Sequence, residues 1–255
     1  MLPNPAERFT GRAESYRRYR PRYPAEIVDL LRRECGLSSD TVVGDVAAGT
    51  GLLSEIFLAV GYAVTAVEPN EEMRAACAAL KATYPGLRVV AGTAEETRLP
   101  DHSVDLITAG QAMHWFDLER ARNEFVRVLK PGGWYSVIYN HRHLGGDALH
   151  VGCEAFLHEF GFDYVAVMNQ HMGIERMAEF FAPSAMKSVT IANVQALTEE
   201  TFEGRILSFS HIPQPGQERF EEMTRAMKRL FAENESGGLV MIRYDCVVCY
   251  GQLGG

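Results

Sequence analysis

The run Thr41-Val42-Val43-Gly44-Asp45-Val46-Ala47-Ala48-Gly49-Thr50-Gly51 limits what this chain can become more than any other stretch. Val42, Val43 and Val46 are β-branched, which suits a strand covered on both faces. Gly49 and Gly51 carry no Cβ, so a ligand can come close to the backbone there. A helix is expected from Leu52, and its first N–H groups face whatever the loop holds. Seventeen residues past Gly51, Tyr62-Ala63-Val64-Thr65-Ala66-Val67-Glu68 reads as a second strand ending in an acid. A glycine loop and a distal carboxylate on neighbouring strands are how doubly wound sheets hold a nucleoside, with the acid at the ribose hydroxyls. The expected fold class is therefore α/β, a doubly wound, Rossmann-like sheet.

The loop separates two cofactor classes. A dinucleotide needs G-x-G-x-x-G to make room for its pyrophosphate. Here Ser54 stands where the third glycine would be. Asp45, which opens the loop, would repel a pyrophosphate but suits a ligand carrying an ammonium group. An NAD(P)-dependent oxidoreductase is therefore disfavoured.

Composition narrows the class further. A chain of 255 residues can form one sizeable α/β domain with an insertion. Its net charge of −8 disfavours a non-specific nucleic-acid binder. No apolar run reaches bilayer length, and no apolar stretch follows the N-terminal charges, so neither a membrane span nor a secretory signal is expected. The five cysteines are odd in number, and three are scattered, which argues against a disulfide framework. Cys246 and Cys249 form a C-x-x-C inside a β-branched strand pattern and read as buried or edge-strand thiols. No cluster has metal-ligand spacing. A cytoplasmic enzyme fits these features, as monomer or homodimer.

Four stretches resemble the class I S-adenosylmethionine-dependent methyltransferases, in a branch related to trans-aconitate methyltransferase. The Asp45–Gly51 loop is similar to the first motif, D/E-x-G-x-G-x-G, with Ala47 where glycine is commoner. Val67-Glu68-Pro69-Asn70-x-x-Met73-Arg74 matches after the second strand. Ala109-Gly110-Gln111-Ala112-x-His114-Trp115-Phe116-Asp117 is close to a signature beyond strand four. Phe9-Thr10-Gly11-Arg12-Ala13-Glu14-Ser15-Tyr16, ending in Tyr19-Arg20-Pro21-Arg22-Tyr23-Pro24, resembles the branch's opening segment. The resemblance covers nearly the whole chain and weakens across an insertion.

It implies a seven-stranded sheet with its last strand antiparallel and a helical insertion between strands five and six. The expected layout is a single domain over 1–255. It comprises an N-terminal helical flap (1–36), a cofactor-binding core (37–144), a lid with strand six (145–235) and the final strand (236–255). The implied cofactor is S-adenosyl-L-methionine, leaving as S-adenosyl-L-homocysteine. Its expected site comprises Tyr16 and Arg20 from the flap, Asp45, Ala47, Gly49 and Gly51 from the loop, and Glu68, Pro69 and Met73. Thr93, Ala94, Glu95 and Gln111 complete it, the first three lining the adenine. Glu95 equally reads as an acid at a helix N-terminus. His114, Trp115 and Asn140 are expected at the acceptor, with His114 as the catalytic base where a base is needed. The implied activity is methyl transfer to a small molecule, tilted towards a carboxylic acid. A non-catalytic S-adenosylmethionine-binding regulatory protein would carry the same pocket signature.

Three local expectations complete the reading. Leu129-Lys130-Pro131-Gly132-Gly133 should turn sharply into a fifth strand over 134–140. A helix after Asp147 should bury Val151, Ala155, Phe156 and Phe160. The stretch 162–181 reads as irregular.

Overall fold

The computed structural model describes residues 11, 13–162, 164, 173–209 and 211–254. Arg8, Phe9, Thr10 and Arg12 of the opening segment lie outside the described residues, as does most of 163–172. The seven strands lie in the order β3-β2-β1-β4-β5-β7-β6. They are β1 (Val42–Val46), β2 (Ala63–Val67), β3 (Leu87–Val90), β4 (Val104–Gly110), β5 (Leu129–Arg142), β6 (Lys187–Leu197) and β7 (Val240–Gln252). Strands β1 to β5 run parallel, and β7 is antiparallel to both its neighbours, β5 and β6. The chain order reverses at β1, between β2 and β4. Loops leave that point on opposite sides of the sheet and open a crevice at the strands' C-terminal ends.

Helices cover both faces. Helix α1 (Ala13–Tyr19) is followed by α2 (Glu26–Cys35), which buries Ile27, Val28, Leu30 and Leu31 and ends on Gly36 in the left-handed region, φ 68°. With α3 (Leu52–Leu58), α2 packs against Val43, Val64, Leu106 and Ile138. Phe57 is fully buried there and contributes roughly 2–3 kcal/mol. Helix α4 (Glu71–Ala78) starts as the sequence predicts, with the Asn70 side chain accepting from the Met73 N–H. On the other face, α5 (Leu118–Val128) and α7 (Ile174–Phe181) set Phe125, Val128, Phe180 and Phe181 against Ile107, Tyr135 and Val137. A third core lies under the far ends of β6 and β7. There α6 (Ala148–Phe160), α8 (Glu199–Leu207) and α9 (Phe220–Asn234) enclose Leu197, Val240, Ile242 and Tyr244.

The structure corrects three local expectations. The Lys130–Gly133 turn does not precede β5 but bulges within it. Val104 pairs with Leu129, and Leu106 already pairs with Trp134, so the extra residues loop out while pairing resumes. Helix α6 buries Leu149, His150, Cys153, Phe156, Leu157 and Phe160, whereas Val151 and Ala155 are exposed. Its apolar stripe is rotated because the third core lies on the Cys153 side. Residues 174–181 of the stretch read as irregular form α7. Cys246 and Cys249 are free and fully buried. Three residues apart on β7, they point to opposite faces. Burial pushes their thiols up, to about 12 and about 11.

Candidate active site

The loop after β1 is held in an unusual backbone shape. Ala47 (φ 56°), Gly49 (57°) and Gly51 (82°) all occupy the left-handed region. Glycine adopts it freely, whereas an alanine there is strained. Ala48 donates to Val67 O and Gly51 to Ala48 O, which pins the loop to the end of β2. A Cβ on Gly49 would meet nothing within 4 Å, because that side opens into a cavity. Gly51 differs from its expected role. It lines neither cavity described below, and a Cβ there would lie 2.7 Å from Leu80 and 2.9 Å from Cys77 Sγ. Packing by itself requires a glycine there.

Two adjoining cavities fill the crevice. The smaller, about 300 Å³, is lined by Glu68, Pro69, Met73, Thr93, Ala94 and Glu95 with Ala112 and Phe116. The larger, about 360 Å³, is lined by Arg20, Asp45, His114 and Asn140 among others. Tyr16, Ala47, Gly49, Gly110, Gln111 and Trp115 line both and form the neck between them. Each volume lies in the usual range for small-molecule sites, about 300–1,000 Å³. Every expected site residue except Gly51 thus borders one connected cleft.

Glu68 is buried at the end of β2. Its Oε2 accepts from the Gly49 N–H (2.8 Å) and its Oε1 from the Asn70 N–H (2.9 Å). Each oxygen keeps a second lone pair for a diol. Burial raises its pKa above the ordinary carboxylate value, against those two N–H bonds and Arg74. Asp45 is fully buried, accepting from Ser54 Oγ (2.6 Å) and Thr108 Oγ1 (3.1 Å). Burial pushes its carboxyl up to about 6, with Ser54 and Thr108 opposing and Glu68 adding. Glu95 stands on an irregular turn, not at the start of its own helix. Its Oε1 accepts from the Asp117 N–H, at the N-cap of α5 (2.9 Å), and the residue also lines the smaller cavity.

Gln111, itself at φ 57°, donates from Nε2 to Asn140 O (3.0 Å) and ties β4 to β5 at the neck. His114 sits on a 3₁₀ turn (Met113–Trp115), with Nδ1 3.3 Å from Tyr139 Oη. Its ring is 4.7 Å from that of Trp115. Burial pushes the Tyr139 phenol up, so it stays neutral. Asn140 Oδ1 accepts from Asn193 Nδ2 (3.0 Å).

The arginines of the opening segment divide. Arg17 and Arg22 pair with Glu55, and Arg18 pairs with Glu200, holding α1 to the body. Arg20 instead borders the larger cavity, its guanidinium over Tyr16 (4.9 Å) and Phe209 (5.0 Å) and its Nη2 donating to Ser208 O. The sequence reading missed Tyr23, Tyr164, Arg205, Phe209, His211 and Tyr244, all of which line the larger cavity. Tyr23 packs against Gly110, where a Cβ would lie 2.5 Å from its phenol oxygen, a contact between distant parts of the chain that no sequence signal announces. The others arrive from the third core and carry no shared motif.

Residues 44–137 match a family model described as a methyltransferase domain. An uncharacterized methyltransferase of Mycobacterium tuberculosis is 40% identical over 134 residues, 52% of each chain. One from Schizosaccharomyces pombe is 35% identical over 128 residues, 50% of each. The matches thus span about half the length of these curated relatives. Among solved structures, a candidate type II methyltransferase from Anaeromyxobacter dehalogenans superposes with a TM-score of 0.67 at 21% identity, covering 92% of this chain and 98% of that one. At these identities the likeness to solved structures is one of fold.

Proposed function

We propose that this chain, whose residues 44–137 match a methyltransferase-domain model, is a class I S-adenosylmethionine-dependent methyltransferase that methylates a small molecule at the neck between its two cavities. One observation carries the reading: the buried Glu68 carboxylate and the open Gly49 backbone share one lobe, while His114, Trp115 and Asn140 border the connected other. The residues present fit the cofactor. Glu68 would take the ribose hydroxyls, Met73 and Ala94 would flank the adenine, and Asp45 would face the ammonium group. Arg20 would take its carboxylate. When bound, the cofactor supplies an electrophilic methyl group on sulfur.

The chain's own contribution is placement. Fixing two reactants in line is worth of order 7–11 kcal/mol. Trp115 and Tyr16 offer aromatic faces to positive charge at the neck. The acceptor class we propose is a carboxylic acid, giving a methyl ester. Support comes from the opening segment's likeness to the trans-aconitate methyltransferase branch and from the guanidinium-lined cavity. A carboxylate needs no base; for a hydroxyl or amine, His114 is the group placed to take the proton.

Calorimetric titration of wild type and Glu68→Ala with S-adenosylmethionine, S-adenosylhomocysteine and NAD tests this reading. Micromolar binding of the first two, at least 100-fold weaker in the variant, is expected. Binding of NAD alone, or of none, would overturn it. Transfer of labelled methyl to base-labile esters across a panel of acids and their amides then tests the acceptor class.

A further inference from the structure

Arg205 belongs to no motif, yet it is among the most buried charged side chains of the molecule. It is 6% exposed, projects from α8 and lines the larger cavity. Its Nε donates to Tyr244 Oη (3.3 Å), its guanidinium lies 4.4 Å from the Phe209 ring centroid, and its Nη1 has no hydrogen-bond partner. The other partners around it are neutral. Tyr244 Oη donates onward to Gln195 Oε1, and Ser208 Oγ donates to the Arg205 carbonyl. Among the described residues, no carboxylate lies within ion-pair distance of it. By contrast, Arg142, which also lines the cavity, pairs with Glu154 at 2.6 Å. The described lining of the cavity holds one carboxylate, Asp45, which belongs to the glycine loop at the neck. A buried cation without a counter-charge is unfavourable unless the working state supplies one.

We infer that Arg205 anchors an anionic group of the methyl acceptor, distinct from the atom that receives the methyl. The inference rests on the methyltransferase reading above and adds to it a specificity-determining residue. Arg205 borders only the larger cavity and takes no part in the lobe of Glu68 and Met73. Arg20 and Arg205 both lie against the Phe209 ring, 5.0 Å and 4.4 Å from its centroid, and only Arg20 also lies over Tyr16. Arg20, beside Tyr16 at the neck, is left for the cofactor, and Arg205 for the acceptor. A planar guanidinium held by one nitrogen with another unsatisfied is suited to carboxylate or phosphate oxygens. A neutral acceptor would leave the buried charge uncompensated.

The test uses the full chain saturated with S-adenosylhomocysteine. Thermal unfolding is followed while succinate or glycerol 3-phosphate is added, against chloride at matched ionic strength. Wild type is expected to gain several degrees with one of the two anions beyond the chloride control. Which anion acts tells carboxylate from phosphate. Arg205→Gln is expected to fall to the chloride control and Arg205→Lys to lie between them. Without anion, Arg205→Gln should unfold no lower than wild type, because it removes an uncompensated charge. If that variant does not fold, Arg205→Lys carries the comparison. An equal anion response in wild type and variant, or no response of wild type to either anion, overturns the inference. So does loss of S-adenosylhomocysteine binding in the Arg205 variants alone, which would place the residue at the cofactor. Failure of wild type itself to bind S-adenosylhomocysteine would overturn the methyltransferase reading and leave the anion result to be judged by itself.

Discussion

Replacing Asp45 by Asn should stabilise the ligand-free protein while weakening cofactor binding. The carboxylate is fully buried and is held by the Ser54 and Thr108 hydroxyls and the Ser54 backbone N–H, and among the described residues no cation pairs with it. Burial pushes its pKa from 3.8 to about 6. At 1.36 kcal/mol per pH unit, that sets about 3 kcal/mol against the ionised form at neutral pH. Asparagine is the neutral isostere and keeps Ser54 and Thr108 as partners. For a chain of this size, about 3 kcal/mol corresponds to a rise of roughly 6–12 °C in Tm. The pH dependence fixes the sign. Below about pH 4 the carboxyl is protonated in both folded and unfolded chains. Between about 4 and 6 the unfolded chain has ionised and the folded one has not, so the folded state binds more protons and stability falls as pH rises. Above about 6 the penalty is constant. Glu68, raised in the same direction by burial, is present in both proteins, so the difference between their curves reports Asp45 together with its coupling to Glu68. The assay is denaturant unfolding of both proteins from pH 4 to 8, with calorimetric S-adenosylmethionine titration at pH 7.5. A variant less stable than wild type at pH 7, or a difference that does not widen between pH 4 and 6, would refute the reasoning.

The glycine loop and the catalytic lobe offer further checks. Ala47→Gly should remove left-handed strain and raise ligand-free stability by about 1 kcal/mol, read by thermal unfolding; a fall would show that the loop is not strained. Gly51→Ala should cost about 2–4 kcal/mol, from its φ of 82° and the 2.7 Å approach to Leu80. Gly49→Ala should fold with a loss near 1 kcal/mol but bind S-adenosylhomocysteine at least 10-fold more weakly, since the added methyl enters open ligand space. Equal stability losses in those two variants would remove the distinction between packing and ligand glycines. His114→Gln should lower kcat by less than about 10-fold if the acceptor is a carboxylate. A loss of about 10²–10⁴ would instead mark a hydroxyl or amine acceptor that needs a base.

The sequence alone determined the part of the cleft built on β1 and β2. Val42 to Val46, the loop glycines, Glu68 and the Asn70 cap lie within one βαβ unit. There, local propensity, turn chemistry and a fixed register place each side chain with little help from the rest of the chain. Gln111, His114 and Trp115 were legible for a related reason, since they follow directly from the end of β4, a fixed point of the sheet. Tertiary structure decided the rest. Gly51 and Gly49 look alike in sequence, and only the packing of Leu80 and Cys77 separates their roles. The Lys130–Gly133 bulge depends on the register of β4 against β5, a pairing between residues about 25 apart. The buried face of α6 depends on which side the third core lies. The larger cavity is the extreme case. Tyr23, Tyr164, Arg205, Phe209 and Tyr244 are spread over more than 200 residues and meet only in the folded chain. Each on its own reads as an ordinary surface or core residue. A buried guanidinium lacking a carboxylate is a relation between distant groups, which no local pattern of residues encodes.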